Sequence, residues 1–241
     1  MADRHTVRAF DKDLDLLERR IAEMGGLAEK MVIDAVDALA SGDAALAQQV
    51  VETDPRLDML QREIEEQATL TIARRQPVAN DLREIIGAIR VAGDLERVGD
   101  LAKNIAKRAL KIGLDGRAPH AIVGIKHMND FATELMKDVL DAYAQRDVER
   151  ARDVWERDVE LDALEDSVFR DLLTHMMEDP RNITLCAHLL FCSKNIERIG
   201  DHATNIAETV VYLVTGSTLP TERPHGRQGT DIAADVTGAI K

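Results

Sequence analysis

Aromatic residues and cysteines are scarce in this 241-residue chain, where Phe, Trp and Tyr together make up 3% and there are two cysteines. A β-sandwich or barrel core usually needs more aromatic and β-branched side chains than that. Ala, Leu, Ile and Val must therefore fill the core. Cys186 and Cys192 are six residues apart, so on a helix they point about 240° away from each other. We expect two buried, reduced thiols rather than a disulfide or a zinc site.

Long apolar runs and excess positive charge are missing as well. No run of about 18 apolar residues exists to span a membrane, and the N-terminus has no apolar signal core. The sequence therefore predicts a cytoplasmic protein with no direct membrane insertion. The formal net charge of −13 excludes a typical nucleic-acid binder, whose affinity comes largely from Lys and Arg at the phosphates. It favours cations or basic protein surfaces as partners.

The motifs of several enzyme classes do not occur. We find no Glu-x-x-His of the ferritin-like di-iron proteins. There is also no His-Glu-x-x-His, no Walker loop and no Gly-x-Gly-x-x-Gly. No nucleophile is paired with a base. The sequence therefore predicts a protein that is not an enzyme.

Apolar residues recur every three or four positions along most of the chain, a spacing typical of amphipathic helices. Breaks rich in Gly, Pro and Asp separate six such stretches. The fold class predicted is all-α, with two tandem, sequence-similar three-helix bundles of six long helices and a disordered C-terminal tail. We place the first bundle at residues 1–113, the second at 119–216 and the flexible tail at 217–241. At Asp54-Pro55 the second helix either kinks or restarts with Asp54 as its N-cap.

An internal repeat is the most informative feature of the sequence. Residues 94–106 align without a gap on residues 195–207, and eight of the thirteen positions are identical. The helix before each copy matches more weakly, through two aspartates and two leucines. Asp54, Leu57, Asp58 and Leu60 correspond to Asp158, Leu161, Asp162 and Leu164.

Each copy carries an acidic row beside its core-facing stripe. In the first copy Glu96, Asp100 and Asn104 lie at i, i+4 and i+8 of one helix, and the second copy repeats the row at Glu197, Asp201 and Asn205. The aspartate pairs 54/58 and 158/162 lie on the neighbouring antiparallel helices. Like charges at i, i+4 cost an isolated helix about 0.2–0.5 kcal/mol, and a bound cation removes this conflict. Carboxylate ligands suit Mg, Mn or Fe, and also Zn.

A simpler interpretation of the acidic rows stays open. Acid pairs on helices are commonly solvated, and Arg97 and Arg198 are placed to form surface ion pairs with the neighbouring aspartates. His202 has Leu101 as its repeat equivalent, so we expect a surface or partner-contact role for it rather than a shared ligand role.

The two copies resemble the paired signature of the PhoU family. The first is Asp94–Asp100 followed by Asn104–Ala106, and the second is Asn195–Asp201 followed by Asn205–Glu208. Residues 10–25 also resemble the start of that family, and the resemblance extends over about residues 5–215. It implies a negative regulator of the phosphate-starvation (Pho) response and of high-affinity phosphate uptake. Such a protein is a non-catalytic adaptor between the ATPase of the phosphate ABC transporter (PstB-like) and a sensor histidine kinase (PhoR-like).

The resemblance also implies cofactors, an assembly and a location. Some family members carry multinuclear metal clusters on the acidic motifs. Fe, Zn, Mn or Mg on the carboxylate pairs is therefore expected, with none required for folding. The family is often dimeric, so we expect a homodimer recruited to the inner face of the membrane through its partners. The implied metal ligands are first Glu96, Asp100, Glu197 and Asp201, then Asp54, Asp58, Asp158 and Asp162, with Asn104 and Asn205 as further candidates.

Two other functions remain open on the sequence. One is a metal-binding helical protein with a storage or metal-dependent role, which predicts tight, stoichiometric metal. The other is a passive helical scaffold, in which replacing the motif acids changes only stability.

Overall fold

The computed structural model of the protein is helical and describes the backbone of residues 2–112 and 119–220, with the side chains of residues 10–112 and 122–220. The helices are α1 (Ala2–Ser41), α2 (Ala44–Arg75), α3 (Asn80–Ile112), α4 (Pro119–Gln145), α5 (Val148–Glu178) and α6 (Ile183–Thr215), and a 3-10 turn at Pro180–Asn182 precedes α6. The prediction of an all-α chain with six long helices is confirmed. None of these helices, over the residues described, carries an apolar stretch that could span a lipid bilayer.

Equivalent aspartates begin the second helix of each repeat. The Asp43 carboxylate accepts hydrogen bonds of 3.0 Å from the backbone N–H groups of Ala45 and Leu46. Asp147 accepts one of 3.1 Å from the N–H of Arg150. Both aspartates have extended backbone and act as N-caps, which satisfies N–H groups that the first turn of a helix leaves without partners. The two predicted breaks are therefore tight turns of the same design.

The helix α2 continues through Pro55 without interruption from residue 44 to residue 75. The alternative of a new helix with Asp54 as its N-cap is therefore wrong. Pro55 is exposed, where the hydrogen bond that proline cannot donate is replaced by water at low cost. Asp54 lies inside the helix, and its side chain is free to pair with a neighbouring helix.

Two three-helix bundles pack side by side. In the first repeat, which we define as α1–α3, the outer helix α2 packs on α1 and α3; in the second repeat, α4–α6, α5 packs on α4 and α6. The four remaining helices form a ring in which α1 contacts α3, α3 contacts α6, α6 contacts α4 and α4 contacts α1. Buried Leu, Ile, Val, Ala and Met side chains from both repeats form one core. The sequence predicted the two bundles but not this shared interior.

Close packing and ion pairs join the repeats. A Cβ added to Gly87 of α3 would lie 2.6 Å from Leu213 Cδ2 of α6, so glycine is what lets these helices approach. At one end of the molecule Arg146, in the turn between α4 and α5, donates to Glu18 Oε1 at 2.7 Å and to Glu84 Oε2 at 2.5 Å. This arginine therefore ties the second repeat to two helices of the first.

The start of the predicted flexible tail packs on the bundle. Leu219 is only 8% exposed and belongs to the core, so residues 217–220 depart from the expected disorder. The apolar Leu219 side chain explains this difference, because burying it stabilises the segment that carries it. The rest of the predicted tail, residues 221–241, lies outside the described residues, as does the connection between the two bundles, residues 113–118.

Both cysteines are free and buried, as predicted. Burial raises the pKa of Cys192 to about 12 and also raises the pKa of Cys186, because a thiolate is poorly solvated among apolar side chains. The two thiols are therefore protonated at neutral pH and pack as small apolar groups.

Candidate functional site

A glycine in each signature brings the second and third helices of a repeat close together. A Cβ on Gly99 would collide with a methyl group of Leu57, and a Cβ on Gly200 would collide with the equivalent methyl group of Leu161. The same leucine therefore fills the same gap in both repeats. This close approach places the aspartates of the outer helix against the acidic row of the signature helix.

The first carboxylate cluster consists of Asp54 and Asp58 from α2 and Glu96 and Asp100 from α3. Asp54 is buried, at 7% exposure, and the other three are partly buried. The pKa of Glu96 is raised, first by burial and then by the negative charges of the other three members, although Arg97 opposes the shift. The structure thus brings these four predicted residues together, and they repel one another.

A lysine that the sequence analysis did not single out lies within this first cluster. Lys103 Nζ is 2.7 Å from Asp54 Oδ2 and also donates to Asp100 Oδ1. The hydrogen bonds and negative charges of Asp100 and Asp54 outweigh the effect of burial, which alone would lower the pKa of this lysine, and raise it above its ordinary value. Arg97, which the simpler interpretation pairs with the aspartates, is 3.6 Å from Glu96 and largely exposed.

The second carboxylate cluster consists of Asp158 and Asp162 from α5 and Glu197 and Asp201 from α6. Asp158 is 1% exposed, and its Oδ1 lies 2.8 Å from where a Cβ of Gly200 would be. Asp162 lies at the exposed edge of the cluster, and Glu197 and Asp201 are partly buried. Glu197 Oε2 is buried and has no hydrogen-bond partner.

Two further charged residues belong to the second cluster and were missed on the sequence. Lys194 Nζ donates to Glu197 Oε1 at 2.7 Å. The pKa of Glu165 is raised, mainly by burial and further by the charges of Glu197, Asp166 and Asp162, while Lys194 opposes the shift. Glu165 follows Asp158 by seven residues on the same helix, and this two-turn spacing was the available signal.

The repeat alignment shows that the two clusters carry their positive charge at different places. Lys103 of the first cluster aligns with Thr204, and Lys194 of the second aligns with Gly93. Glu165 aligns with Gln61. The carboxylates are therefore duplicated in register, but the residues that neutralise them are not.

The family resemblance implies metal on these carboxylates, and the two clusters differ in how well they fit it. Among residues whose side chains the structure describes, no three His, Cys, Asp or Glu groups are arranged to hold a metal ion. In the first cluster the Lys103 ammonium lies between two of the predicted ligands. In the second cluster, Glu197 Oε2 is a buried acceptor without a hydrogen-bond donor, and a cation would satisfy it. The ligand assignment stays a prediction.

The two asparagines of the acidic rows differ in their surroundings. Asn104 is exposed. Asn205 Nδ2 donates to Asp94 Oδ1 at 3.2 Å, across the contact between α3 and α6. His202 lies beside it, with Nδ1 2.9 Å from the same oxygen. Asn205 and His202 therefore help to join the two repeats, and the surface or partner-contact role expected for His202 stays a prediction.

This Asp94 contact lies in a cleft of about 640 Å³ between α3 and α6. The cleft is lined by side chains of both charges, including Arg90, Glu96, His202 and Glu208. In this cleft Glu96 of the first cluster lies next to α6, the helix that carries the signature of the second repeat.

Comparison with known proteins gives the same family over most of the chain. The PhoU domain model matches residues 21–109 and 125–210, once in each repeat. A Rhizobium meliloti protein named phosphate-specific transport system accessory protein PhoU homolog is 57% identical over 93% of this chain and 94% of its own length. A Caulobacter vibrioides protein of the same name is 48% identical over 91% of this chain and 96% of its own.

Solved structures agree with the sequence relatives. The crystal structure of PhoU from Pseudomonas aeruginosa matches with a TM-score of 0.83 and 41% identity, over 86% of this chain and all of the other. The phosphate transport system regulatory protein PhoU from Streptococcus pneumoniae matches with a TM-score of 0.81 and 27% identity, over 88% of this chain and 99% of the other. With two matched domains, close relatives of equal length and the same fold, this chain belongs to the PhoU family.

Proposed function

We propose that this chain is an accessory protein of a phosphate transport system and a negative regulator of the phosphate-starvation response. In this role it is a non-catalytic adaptor between a PstB-like transporter ATPase and a PhoR-like sensor histidine kinase. When phosphate is plentiful, its binding holds the kinase in a phosphatase-like mode and restrains uptake. The protein acts in the cytoplasm as a homodimer and reaches the inner face of the membrane through these partners.

The observation that carries this proposal is the full-length match to relatives named as accessory proteins of phosphate transport. The alignment covers 94% and 96% of the two bacterial relatives described above, so the likeness is to their whole architecture rather than to one shared domain. The site chemistry supports the same function. The clusters hold partly buried carboxylates in an acidic protein, which suits recognition of basic protein surfaces.

A metal-dependent role is the second candidate, and one specific observation favours it. Glu197 Oε2 is buried without a hydrogen-bond partner, and it belongs to the second cluster, whose Asp158 is almost fully buried. A divalent cation such as Mg, Mn, Fe or Zn would satisfy this buried oxygen of Glu197. Stoichiometric metal in the purified protein, lost together with activity on chelation, would favour this function.

Alkaline phosphatase activity in phosphate-rich medium tests the regulatory function. We expect high activity in a strain that lacks the gene and low activity once the wild-type chain is restored. A variant with Glu197→Gln and Asp201→Asn should restore less silencing than the matched control Glu66→Gln with Asp171→Asn, which changes exposed acids of α2 and α5. Absence of derepression in the deletion strain would reject the proposed function.

Pull-down of the transporter ATPase and the sensor kinase from membranes tests the adaptor role. The tagged wild-type chain should retain both proteins, and the exposed-acid control should retain them equally. Retention of neither protein would contradict the adaptor role even if the deletion strain is derepressed. Sedimentation of the purified chain at twice the mass of one chain is the expected result for the homodimer.

A further inference from the structure

The first carboxylate cluster already contains a cation that belongs to the chain. Lys103 Nζ donates to Asp54 Oδ2 and to Asp100 Oδ1, one carboxylate from each of the two facing helices. The Lys103 and Asp54 side chains are only 20% and 10% exposed. The ammonium therefore has the position and the partners that a bound ion would have between α2 and α3.

We infer that Lys103 is the resident cation of the first carboxylate cluster and excludes divalent metal from it, so that the two repeats of this chain are not equivalent metal sites. The inference departs from the family resemblance, which implies metal on both acidic motifs. It concerns metal binding by the purified chain and does not depend on the proposed regulatory role.

Electrostatics and connectivity support the exclusion. An ammonium and a divalent ion that share the same two carboxylates would lie a few ångströms apart, where like charges repel strongly in a partly buried site. Lys103 is on the same helix as Asp100, three residues along. The chain therefore holds its ammonium close to the carboxylates, whereas a metal ion must bind from solution. A divalent ion must therefore first displace a charge that is covalently attached next to the site.

The second cluster lacks this arrangement. The position equivalent to Lys103 is Thr204, whose hydroxyl donates to the backbone carbonyl of Asp201 at 2.7 Å. Lys194 approaches from a different place and is 57% exposed. It pairs with one oxygen of Glu197, while the other oxygen is buried without a hydrogen-bond partner. The residue aligned with Lys103 between α5 and α6 is therefore an uncharged threonine, whereas between α2 and α3 it is an ammonium.

Equilibrium dialysis of the full chain against Mn²⁺, with the metal and protein both quantified, tests the inference. The variants are Lys103→Gln, the control Lys107→Gln, and Lys103→Gln combined with Asp54→Asn. Lys107 is an exposed lysine one turn further along α3. We expect Lys103→Gln to bind one Mn²⁺ more per chain than the wild type and the control, and the double variant to lose this additional ion.

Equal Mn²⁺ binding by Lys103→Gln and the wild type would overturn the inference. A second measurement covers the case in which Lys103→Gln does not fold. In the otherwise wild-type chain, Glu96→Gln with Asp100→Asn should leave the number and affinity of bound Mn²⁺ ions unchanged. A loss of Mn²⁺ from that variant would show that the first cluster binds metal despite Lys103, and would also overturn the inference.

Discussion

The two repeats share their backbone packing but not their charge balance. Gly99 with Leu57 and Gly200 with Leu161 produce the same close approach of two helices, and each approach brings four aligned acids together. The first cluster is then neutralised from within by Lys103. The second has an additional acid, Glu165, and its lysine approaches from the exposed side.

This difference shows which features of a duplicated site are required by the packing of its helices. A glycine and a leucine at the contact are required by the distance between two helix axes, so both copies keep them. The neutralising side chain needs only to reach the carboxylates, and several positions on the neighbouring turns allow that. The duplicated acids can therefore have different partners, and the two clusters can have different functions.

Removing the lysine of each cluster should reveal the largest difference in stability between the two repeats. Lys103→Met leaves the buried Asp54 carboxylate next to Asp100 with no cation, and we expect a loss of about 2–3 kcal/mol in the free energy of unfolding, between the values for exposed and buried pairs. Lys194→Met should cost about 0–1 kcal/mol, because Lys194 is mostly exposed. Urea unfolding at pH 7 with a chelator present measures both losses.

A double variant separates the charge effect from lost packing of the lysine stem. Asp54→Asn added to Lys103→Met removes the stranded carboxylate and should recover part of the stability. If the two lysine variants lose equal stability, or if the double variant is no more stable than Lys103→Met, Lys103 is not the internal counter-ion of the first cluster.

The glycines of the two signatures provide the next largest test. Alanine normally stabilises a helix interior relative to glycine by about 0.5–1 kcal/mol. At Gly99 and Gly200 the added methyl group meets a leucine, and at Gly200 it also meets the buried Asp158 carboxylate. We expect net losses of about 1–2 kcal/mol, with Gly200→Ala the more destabilising.

Gly93 of α3 is the matched control for these variants, because an added Cβ there meets nothing within 4 Å. Gly93→Ala should be neutral or stabilising in thermal unfolding. A stabilising effect of Gly99→Ala or Gly200→Ala would mean that the leucines move aside easily and that the close approach does not depend on glycine.

Helices, repeats and carboxylate pairing were predictable from the sequence, because each follows from a local period or from an alignment. The breaks between the helical stretches are an example, because Asp43 and Asp147 lie in two of them and are both N-caps. The packing of the repeats was not predictable, because the Gly87 contact and the Arg146 ion pairs join residues far apart in the sequence.

The neutralising lysines were missed for a related reason. Repeat comparison emphasises what both copies share, and neither lysine has a counterpart in the other copy. Lys103 was visible three residues after Asp100, but its pairing with Asp54 depends on how α2 lies against α3. The contact of His202 with Asp94 was missed in the same way, since it crosses between the two repeats.

The smallest expected effect concerns Glu165, the acid that the first repeat replaces with Gln61. The folded protein raises the pKa of Glu165 above its ordinary value of 4.5, chiefly through burial. The ionised carboxylate of Glu165 therefore destabilises the native state at neutral pH. This penalty decreases as the pH falls through the pKa of the folded state, and it is lost below the pKa of the unfolded state. Glu165→Gln should stabilise the protein at pH 7 by less than about 1 kcal/mol, and the gain should have shrunk strongly by about pH 4.

The reciprocal variant Gln61→Glu should destabilise the first repeat at pH 7, because it adds a charge near Glu96 and Asp58, and the loss should likewise shrink in acid. Urea unfolding of both variants and the wild type at several pH values between 7 and 4 measures these differences. The direction of the pH dependence distinguishes a charge effect from a packing effect, because a packing effect of the amide would be constant over this pH range. If the gain from Glu165→Gln were the same at pH 7 and at pH 4, packing rather than charge would distinguish the two clusters at this position.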